Sequence, residues 1–326
     1  VWPAIREEYG TSIYVEGYQG LDAYSMDGGT NTCWTTGSAT NPCVNDSDIT
    51  IIDDFWDWYW RPSDHQDATT SVSEDVVAEY GIDTTHRAYH LLDEGIAGAY
   101  YATTLDKLGA RSLALQSNQW DLSSPIRVLG DKDLGYSDAL ETVWWNDVIA
   151  NSDLLLSSPV VQIDTSGDDV VVTDSSGALH AARQVIVTVS IGVLQAEMID
   201  FVPDLPASTV EAYQGIGIDS GMKVPMRFSE AWWETEGEAL AWLVTEGLAS
   251  TCWVPSDYKE GSTSHVMLCY PMGDNASTLN DVAKAAGGGT AGDEAIINAI
   301  LEDLDGTLPQ APGRATETYL EGIVQN

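Results

Sequence analysis

Residues 184–233, QVIVTVSIGVLQAEMIDFVPDLPASTVEAYQGIGIDSGMKVPMRFSEAWW, carry the fold reading of this chain. Gln184 to Val189 is a short apolar, β-branched run, the pattern of a buried strand, and Ser190-Ile191-Gly192 breaks it before Val193-Leu194 resumes. Asp204-Leu205-Pro206 introduces Ser208-Thr209-Val210-Glu211, a Ser-x-x-Glu capping box that predicts a helix ended by Gly215. From Met222 the text alternates. Met222, Val224, Met226 and Phe228 fall on one face and Lys223, Pro225 and Arg227 on the other, as in a half-buried strand. One lysine therefore lies inside a strand.

Working outward, the stretch from Val160 to Val189 reads as a β-meander: Val160 to Asp164, Asp169 to Thr173, a Ser-Ser-Gly turn, then Gln184 to Val189. Gly135-Tyr136-Ser137-Asp138 predicts the start of an amphipathic helix through about Ile149. Downstream, Ala241 to Val244, Thr251 to Val254 and His265 to Tyr270 are strand candidates. Ala283 to Gly292 reads as a Gly/Ala linker, after which Asp293 caps a helix with Ile296, Ile297, Ile300, Leu301 and Leu304 at helical spacing. Upstream, Ser71-Val72-Ser73-Glu74 is a second capping box, for a helix that Gly81 stops. Phe55 to Trp60 packs five aromatic side chains into six residues. Such a tract either lines an apolar channel or packs a lid helix on the core.

The run VIVTVSIGVLQAEMIDFVPDLP, followed by a helix and GMKVPMRFSEAWW, resembles the signature of the flavin-containing amine oxidases, and most resembles their polyamine oxidase branch. Weaker similarity lies at Val1-Trp2-Pro3, at Gly135-Tyr136, from Trp242 to Ala276, and in the helix ending near Leu304. The resemblance implies an α+β/α/β architecture. A β-meander would form part of an FAD-binding domain, beside a substrate domain of mixed β-sheet flanked by helices. It implies three segments: 1–115 and 201–326 from the substrate domain, and 116–200 from the FAD domain. It also implies two site residues. Lys223 would point at flavin N5 and hold a water that assists reoxidation and imine hydrolysis, and the backbone of Val160 would touch the adenine of FAD. The implied reaction is hydride transfer from the carbon bearing the amine, hydrolysis of the imine to an aldehyde, and reduction of O2 to hydrogen peroxide. The partners implied are a small-molecule amine and O2.

Several features depart from that pattern. No GxGxxG occurs; Gly215-Ile216-Gly217-Ile218-Asp219-Ser220-Gly221 has its third glycine one place late and follows a helix, so it reads as a decoy. The expected reading is an internal fragment, lacking the family's N-terminal dinucleotide segment and C-terminal flavin motif, and inactive alone. Gly221 stands where plant polyamine oxidases carry an aromatic residue, which predicts a larger or differently shaped pocket. The region around Thr84 and Thr85 lacks their glutamate. Two alternatives stay open: an L-amino-acid oxidase, with Arg87 or Arg111 binding the substrate carboxylate, and a non-catalytic acidic extracellular protein that retains the fold.

Charge bounds the partners. With 51 acidic against 13 basic residues, the formal net charge of -38 repels nucleic acid and anionic membrane surfaces. A dense carboxylate shell suits a surface adapted to salt. No run of about 20 apolar residues suggests a spanning helix. Four cysteines fall into two close pairs without CxxC spacing, so zinc is not expected. Disulfides Cys33–Cys43 and Cys252–Cys269, and with them a secreted or other oxidising compartment, are the expectation, against free buried thiols. Asn45-Asp46-Ser47 and Asn275-Ala276-Ser277 are glycosylation sequons. His86 and His90 are spaced to share a helix face but have no third ligand nearby. The sequence does not report the oligomeric state.

Overall fold

The computed structural model describes residues 14–16, 21–26, 31–34, 45–61, 67–117, 127–129, 140–234, 240–255, 265–308 and 311–325. The expected helix start at Gly135–Asp138, the Val1-Trp2-Pro3 similarity and the Cys33–Cys43 side chains lie outside them. The strands are β1 Tyr14–Glu16, β2 Leu21–Met26, β3 Asn31–Trp34, β4 Arg127–Leu129, β5 Val160–Asp164, β6 Val170–Asp174, β7 Leu179–Ala182, β8 Asp200–Val202, β9 Val224–Phe228, β10 Leu240–Val244, β11 Thr251–Trp253, β12 His265–Cys269 and β13 Tyr319–Gly322. The chain divides into two compact units, residues 1–10 with 136–218, and residues 11–135 with 219–326.

The 136–218 unit is built on a four-stranded sheet in the order β7-β6-β5-β8. Strands β5, β6 and β7 are the meander, and β8 joins β5 in parallel. The third meander strand is Leu179–Ala182, not Gln184–Val189. Its sequence, LHAA, lacks the β-branched residues that mark a strand, and the Asp174 turn ties it down instead. Asp174 accepts from the amides of Ser176 and Ala178 and lies 3.2 Å from His180 Nε2. The Ser176 hydroxyl, followed by His180, holds the Asp174 carboxyl well below the usual carboxylate range. Gln184–Ser190 runs without a ladder partner among the described residues, and Ile186 is 88% exposed, which corrects the expected buried strand. Apolar, β-branched text gives strand character only where a neighbouring strand supplies hydrogen bonds and burial. The helix after Pro206 also differs from expectation. It spans Ala207–Gln214 with Pro206 as N-cap and no side-chain cap, so Ser208 and Glu211 lie inside it. Pro at the edge of the first turn takes the place of the capping box.

The larger unit carries a seven-stranded sheet in the order β13-β9-β12-β11-β10-β2-β3. All neighbours are antiparallel except β10 and β2. Strand β9 follows its expected alternation: Met222, Val224, Met226 and Phe228 are buried, and Lys223 and Arg227 are exposed. The buried face packs on two successive helices, Gly273–Ala285 and Gly289–Thr307, whose Ala276, Leu279, Ile296, Ile297, Ile300, Leu301 and Leu304 complete the core. The expected Ala283–Gly292 linker shrinks to a tight break at residues 286–288. Gly287, Gly288 and Gly289 take positive φ there, which a left-handed turn demands, and the second helix starts four residues before Asp293. Cys252 and Cys269 face each other across β11 and β12 and form a disulfide.

A second apolar cluster of this unit joins the helices Asp46–Tyr59, Val72–Tyr80, Arg87–Leu92 and Ala110–Ser117. The aromatic tract divides by helical phase. Phe55, Trp58 and Tyr59 are buried, while Trp56 and Trp60 are exposed. Trp58 Nε1 donates to Asp75 Oδ2 at 2.9 Å. The Ser71/Glu74 capping box forms as expected, and Gly81 closes that helix at φ 68°.

Candidate active site

Lys223 is positioned by a reciprocal pair of main-chain bonds to one residue, Gln325. Its N–H donates to Gln325 O, and Gln325 N–H donates back to Lys223 O, each at 2.9 Å. Met222 N–H donates to Pro271 O at 3.0 Å, and Gly221 bridges Met272. The strand is thus held on both edges where the lysine stands, so the side chain leaves from a fixed Cα. Lys223 Nζ lies 5.4 Å above the ring centroid of Tyr270. The ammonium meets the negative face of that ring, a cation–π contact that orients the lysine along the sheet surface. Arg227, two strand steps away on the same face, is engaged by Glu321 at 2.7 Å.

The aromatic contacts continue beyond Tyr270. Trp253 meets it edge-on with centroids 5.7 Å apart, and Trp242 stacks on Trp253 at 5.3 Å with an interplanar angle of 11°. Register places them together: Trp242 pairs with Trp253, Cys252 with Cys269, and Cys269 with Val224, so Tyr270 stands opposite Lys223. Sequence reasoning does not reach this row. The signal available is the pair of cysteines, which fixes the register of β11 on β12 once they are taken as directly opposite.

The room expected from Gly221 is taken. A Cβ there would lie 2.5 Å from Met272 Sδ, so the thioether occupies the volume a side chain at 221 would need. The turn between β10 and β11 is held by part-buried polar groups. Asp303 accepts from Thr245 Oγ1 and Ala249 N, both at 2.9 Å. Asn275 Nδ2 donates to Glu94 Oε1 and Ser250 Oγ at 2.9 Å and to Gly247 O at 3.1 Å. Burial, offset in part by Ser250, raises the Glu94 carboxyl to about 7; burial likewise raises that of Asp303. The Asn275 sequon therefore has its amide nitrogen committed inside the fold.

Ser47, His86 and Asp48 come together at the start of the helix Asp46–Tyr59 with the residue types of a hydrolase triad but not its polarity. His86 Nδ1 accepts from Ala88 N at 3.2 Å, which leaves the proton on Nε2, 3.2 Å from Ser47 Oγ. The serine hydroxyl donates to Asn45 Oδ1 at 2.6 Å. A histidine that donates to serine cannot take its proton, and Asp48 is held by Arg87. His86 is a helix cap, just outside the helix that holds His90, so the two histidines do not share its face. Arg87 is committed to that pair, and Arg111 is exposed on the helix Ala110–Ser117.

Val160 opens β5 in the 136–218 unit, opposite Asp174 and beside a bulge before Gln162. Lys223 belongs to the other unit.

The family model for flavin containing amine oxidoreductase matches residues 88–321, most of the chain. The chain belongs to this family. Among curated amine oxidoreductases and their kin, a probable polyamine oxidase 4 of Arabidopsis thaliana is 29% identical over 189 residues, covering 56% of this chain and 33% of that protein. Lysine-specific histone demethylase 1B of Mus musculus is 30% identical over 166 residues, covering 49% and 19%. The matched stretch thus spans a third or less of these two relatives. A putrescine oxidase structure with bound putrescine superposes at TM-score 0.71 with 14% identity, covering 100% of this chain and 71% of that one. Cyclohexylamine oxidase from Brevibacterium oxydans gives 0.67 at 16% identity, covering 98% and 70%. The mixed α/β architecture, sheets flanked by helices, is the amine oxidoreductase fold.

The described residues meet the needs of a flavin unevenly. Lys223 is exposed on a strand bonded at both edges. A pyrophosphate needs backbone N–H groups at a glycine-rich turn from strand to helix. Among the described residues none is formed at Gly215–Gly221, which follows the helix Ala207–Gln214. Among the described residues no group of acidic, histidine or cysteine side chains is arranged to hold a metal ion, and no helix is long and apolar enough to cross a membrane.

Proposed function

We infer that the full-length protein oxidises a small-molecule amine, polyamine-like in character, with FAD as two-electron acceptor. The amine would lose a hydride from its carbon and a proton from its nitrogen to become an imine, water would convert the imine to an aldehyde and release the amine fragment or ammonia, and the two electrons and two protons would reduce O2 to hydrogen peroxide. Lys223 is the residue assigned to the reaction centre, as the holder of a water, and the backbone of Val160 is assigned to the adenine end of FAD. The 136–218 unit is read as part of the flavin domain and the larger unit as part of the substrate domain. The observation that carries this reading is Lys223 itself, exposed, bonded through both its N–H and its carbonyl to Gln325, and lying within the stretch matched by the family.

The Cys252–Cys269 disulfide supports an oxidising compartment. The acidic surface favours a cationic small molecule over nucleic acid. The commitment of Arg87 to Asp48 removes one of the two arginines on which an amino-acid substrate would depend.

The test is the spectrum of the purified full-length gene product. A flavin band bleached anaerobically by spermidine, with hydrogen peroxide released when air is readmitted, supports the reading. Bleaching by amino acids alone points to the amino-acid oxidase, and absence of flavin ends both.

A further inference from the structure

The helix Asp46–Tyr59 carries apolar side chains on two sides, and the core takes one of them. Ile51, Phe55, Trp58 and Tyr59 are buried in the helical cluster. On the other side Ile49, Trp56 and the C-cap residue Trp60 are 41%, 38% and 55% exposed. Trp56 and Trp60 lie with ring centroids 6.2 Å apart and planes 20° from parallel, stacked on each other at the surface. Tyr59 meets Trp56 edge-on at 5.2 Å, which fixes the first ring from below. The core accounts for the inner side; the outer one leaves two ordered indole rings facing water.

Charge follows the same spacing. Ile49, Trp56 and Trp60 are separated by seven and then four residues, the recurrence of one helix face. Asp46, Asp53 and Asp57 are all exposed and are also separated by seven and then four. Each aspartate stands three residues before one apolar residue and so beside it on the helix surface. An apolar stripe thus runs next to a carboxylate stripe. The helix contains no lysine or arginine, and Arg61, just past its end, lies 3.3 Å from Asp57.

Size and charge select the occupant. A second copy of this chain brings the same net charge of -38 and is repelled. A stable dimer also buries about 800 Å² on each partner, far more than three partly exposed side chains along ~16 Å of helix present. A strip of that length suits one helix laid along it, with anchors at helical spacing. Tryptophan faces bind aliphatic side chains by area burial and cations through the ring quadrupole, and the carboxylates beside them attract arginine or lysine.

We propose that the outer face of the helix Asp46–Tyr59, together with Trp60, is a docking surface for a basic amphipathic helix. Its apolar side chains lie on Ile49, Trp56 and Trp60, and its cationic ones face Asp46, Asp53 and Asp57. The rings are already stacked, so little side-chain order remains to be imposed on binding. None of these residues is assigned to the amine reaction, and occupation of the face is separable from turnover.

The probe is a synthetic amphipathic helix of leucine and arginine, about 14 residues long to span the strip. Arginine is used because a guanidinium, unlike the amine of lysine, is no substrate for the reaction inferred above. Binding to the full-length protein is read by calorimetry, beside a peptide of the same composition in scrambled order. Wild type should bind the ordered peptide at least about 10-fold more tightly than the scrambled one. The double variant Trp56→Ala/Trp60→Ala should lose that preference while binding the scrambled peptide within about 2-fold of wild type, because general charge attraction remains. Asp53→Lys should weaken the ordered peptide by about 10-fold at an unchanged melting temperature. Equal affinity of wild type for both peptides, or a preference retained in the double variant, overturns the docking surface. A wild-type dimer in sedimentation that the double variant dissolves gives the face to a second copy and overturns the basic partner. Should the double variant not fold, Asp53→Lys, a change at an exposed side chain, decides alone.

Discussion

Arg87 grips Asp48 through two hydrogen bonds, Nε to Oδ1 at 2.9 Å and Nη2 to Oδ2 at 2.6 Å, with the Asp48 side chain almost wholly buried. The same carboxylate accepts from Asn45 N–H at 2.9 Å, so one ion pair links the start of the helix Asp46–Tyr59 to the helix Arg87–Leu92. The guanidinium holds the Asp48 carboxyl below its ordinary value of 3.8. A depressed acid stabilises the fold above its unfolded pKa and loses that contribution as pH falls through the folded one. Arg87→Ala should cost about 3–5 kcal/mol at pH 7, because it leaves a buried charge unpaired. Urea melts at neutral pH and at the acid limit check this: the gap between wild type and variant should narrow below the ordinary carboxylate value.

Glu94 carries the opposite sign. Burial raises it from 4.5 to about 7, so the fold favours its protonated form. Its contribution is fully present below the unfolded value and is lost as pH rises through about 7. Glu94→Gln keeps an acceptor for Asn275 and removes the charge. It should therefore leave stability near pH 4 little changed and raise it, on the order of 2–3 kcal/mol, at pH 8. A melting-temperature series across that range reads the crossover.

Two glycines should differ sharply when replaced by alanine. At Gly247 the added Cβ would meet Asp303 Oδ1 at 2.1 Å, a part-buried carboxylate fixed by Thr245 and Ala249. At Gly221 it would lie 2.5 Å from the thioether of Met272, the far end of a flexible side chain. Gly247→Ala should cost about 2–3 kcal/mol or more and Gly221→Ala about 1 kcal/mol or less, measured by denaturant midpoint.

The acidic surface predicts salt dependence. With a net charge of -38, self-repulsion grows as screening is withdrawn, so the melting temperature should fall steadily on dialysis from molar salt to low ionic strength. An unchanged melting temperature sinks the idea of a surface adapted to salt.

Much of the sheet is legible in the sequence for a simple reason. Strand β9 buries one face, and period-two alternation records that burial directly in Met222 to Phe228, whereas β10 and β11 are legible as short apolar runs. Local text misleads where the outcome depends on a distant partner. Gln184–Val189 has stronger strand chemistry than Leu179–Ala182, yet the latter pairs with β6 because the Asp174 turn delivers it there. The glycines from 287 read as a linker, but residues 286–288 make a three-residue corner between two long helices, with positive φ at Gly287 and Gly288 turning the chain. The site divides in the same way. Lys223 is visible from its motif and alternation, whereas the row Tyr270, Trp253, Trp242 exists only through cross-strand register.

The most direct measurement is turnover of the full-length, flavin-loaded protein with its best amine, wild type against Lys223→Met, with flavin reduction and reoxidation followed separately. Methionine keeps the length of the side chain on the same doubly bonded strand while removing the ammonium, so the melting temperature should hold. Turnover or reoxidation should fall by at least about 10-fold, the loss expected when a group that positions a reacting water is removed. Wild-type rates in the variant would contradict the assignment of Lys223 to the reaction centre.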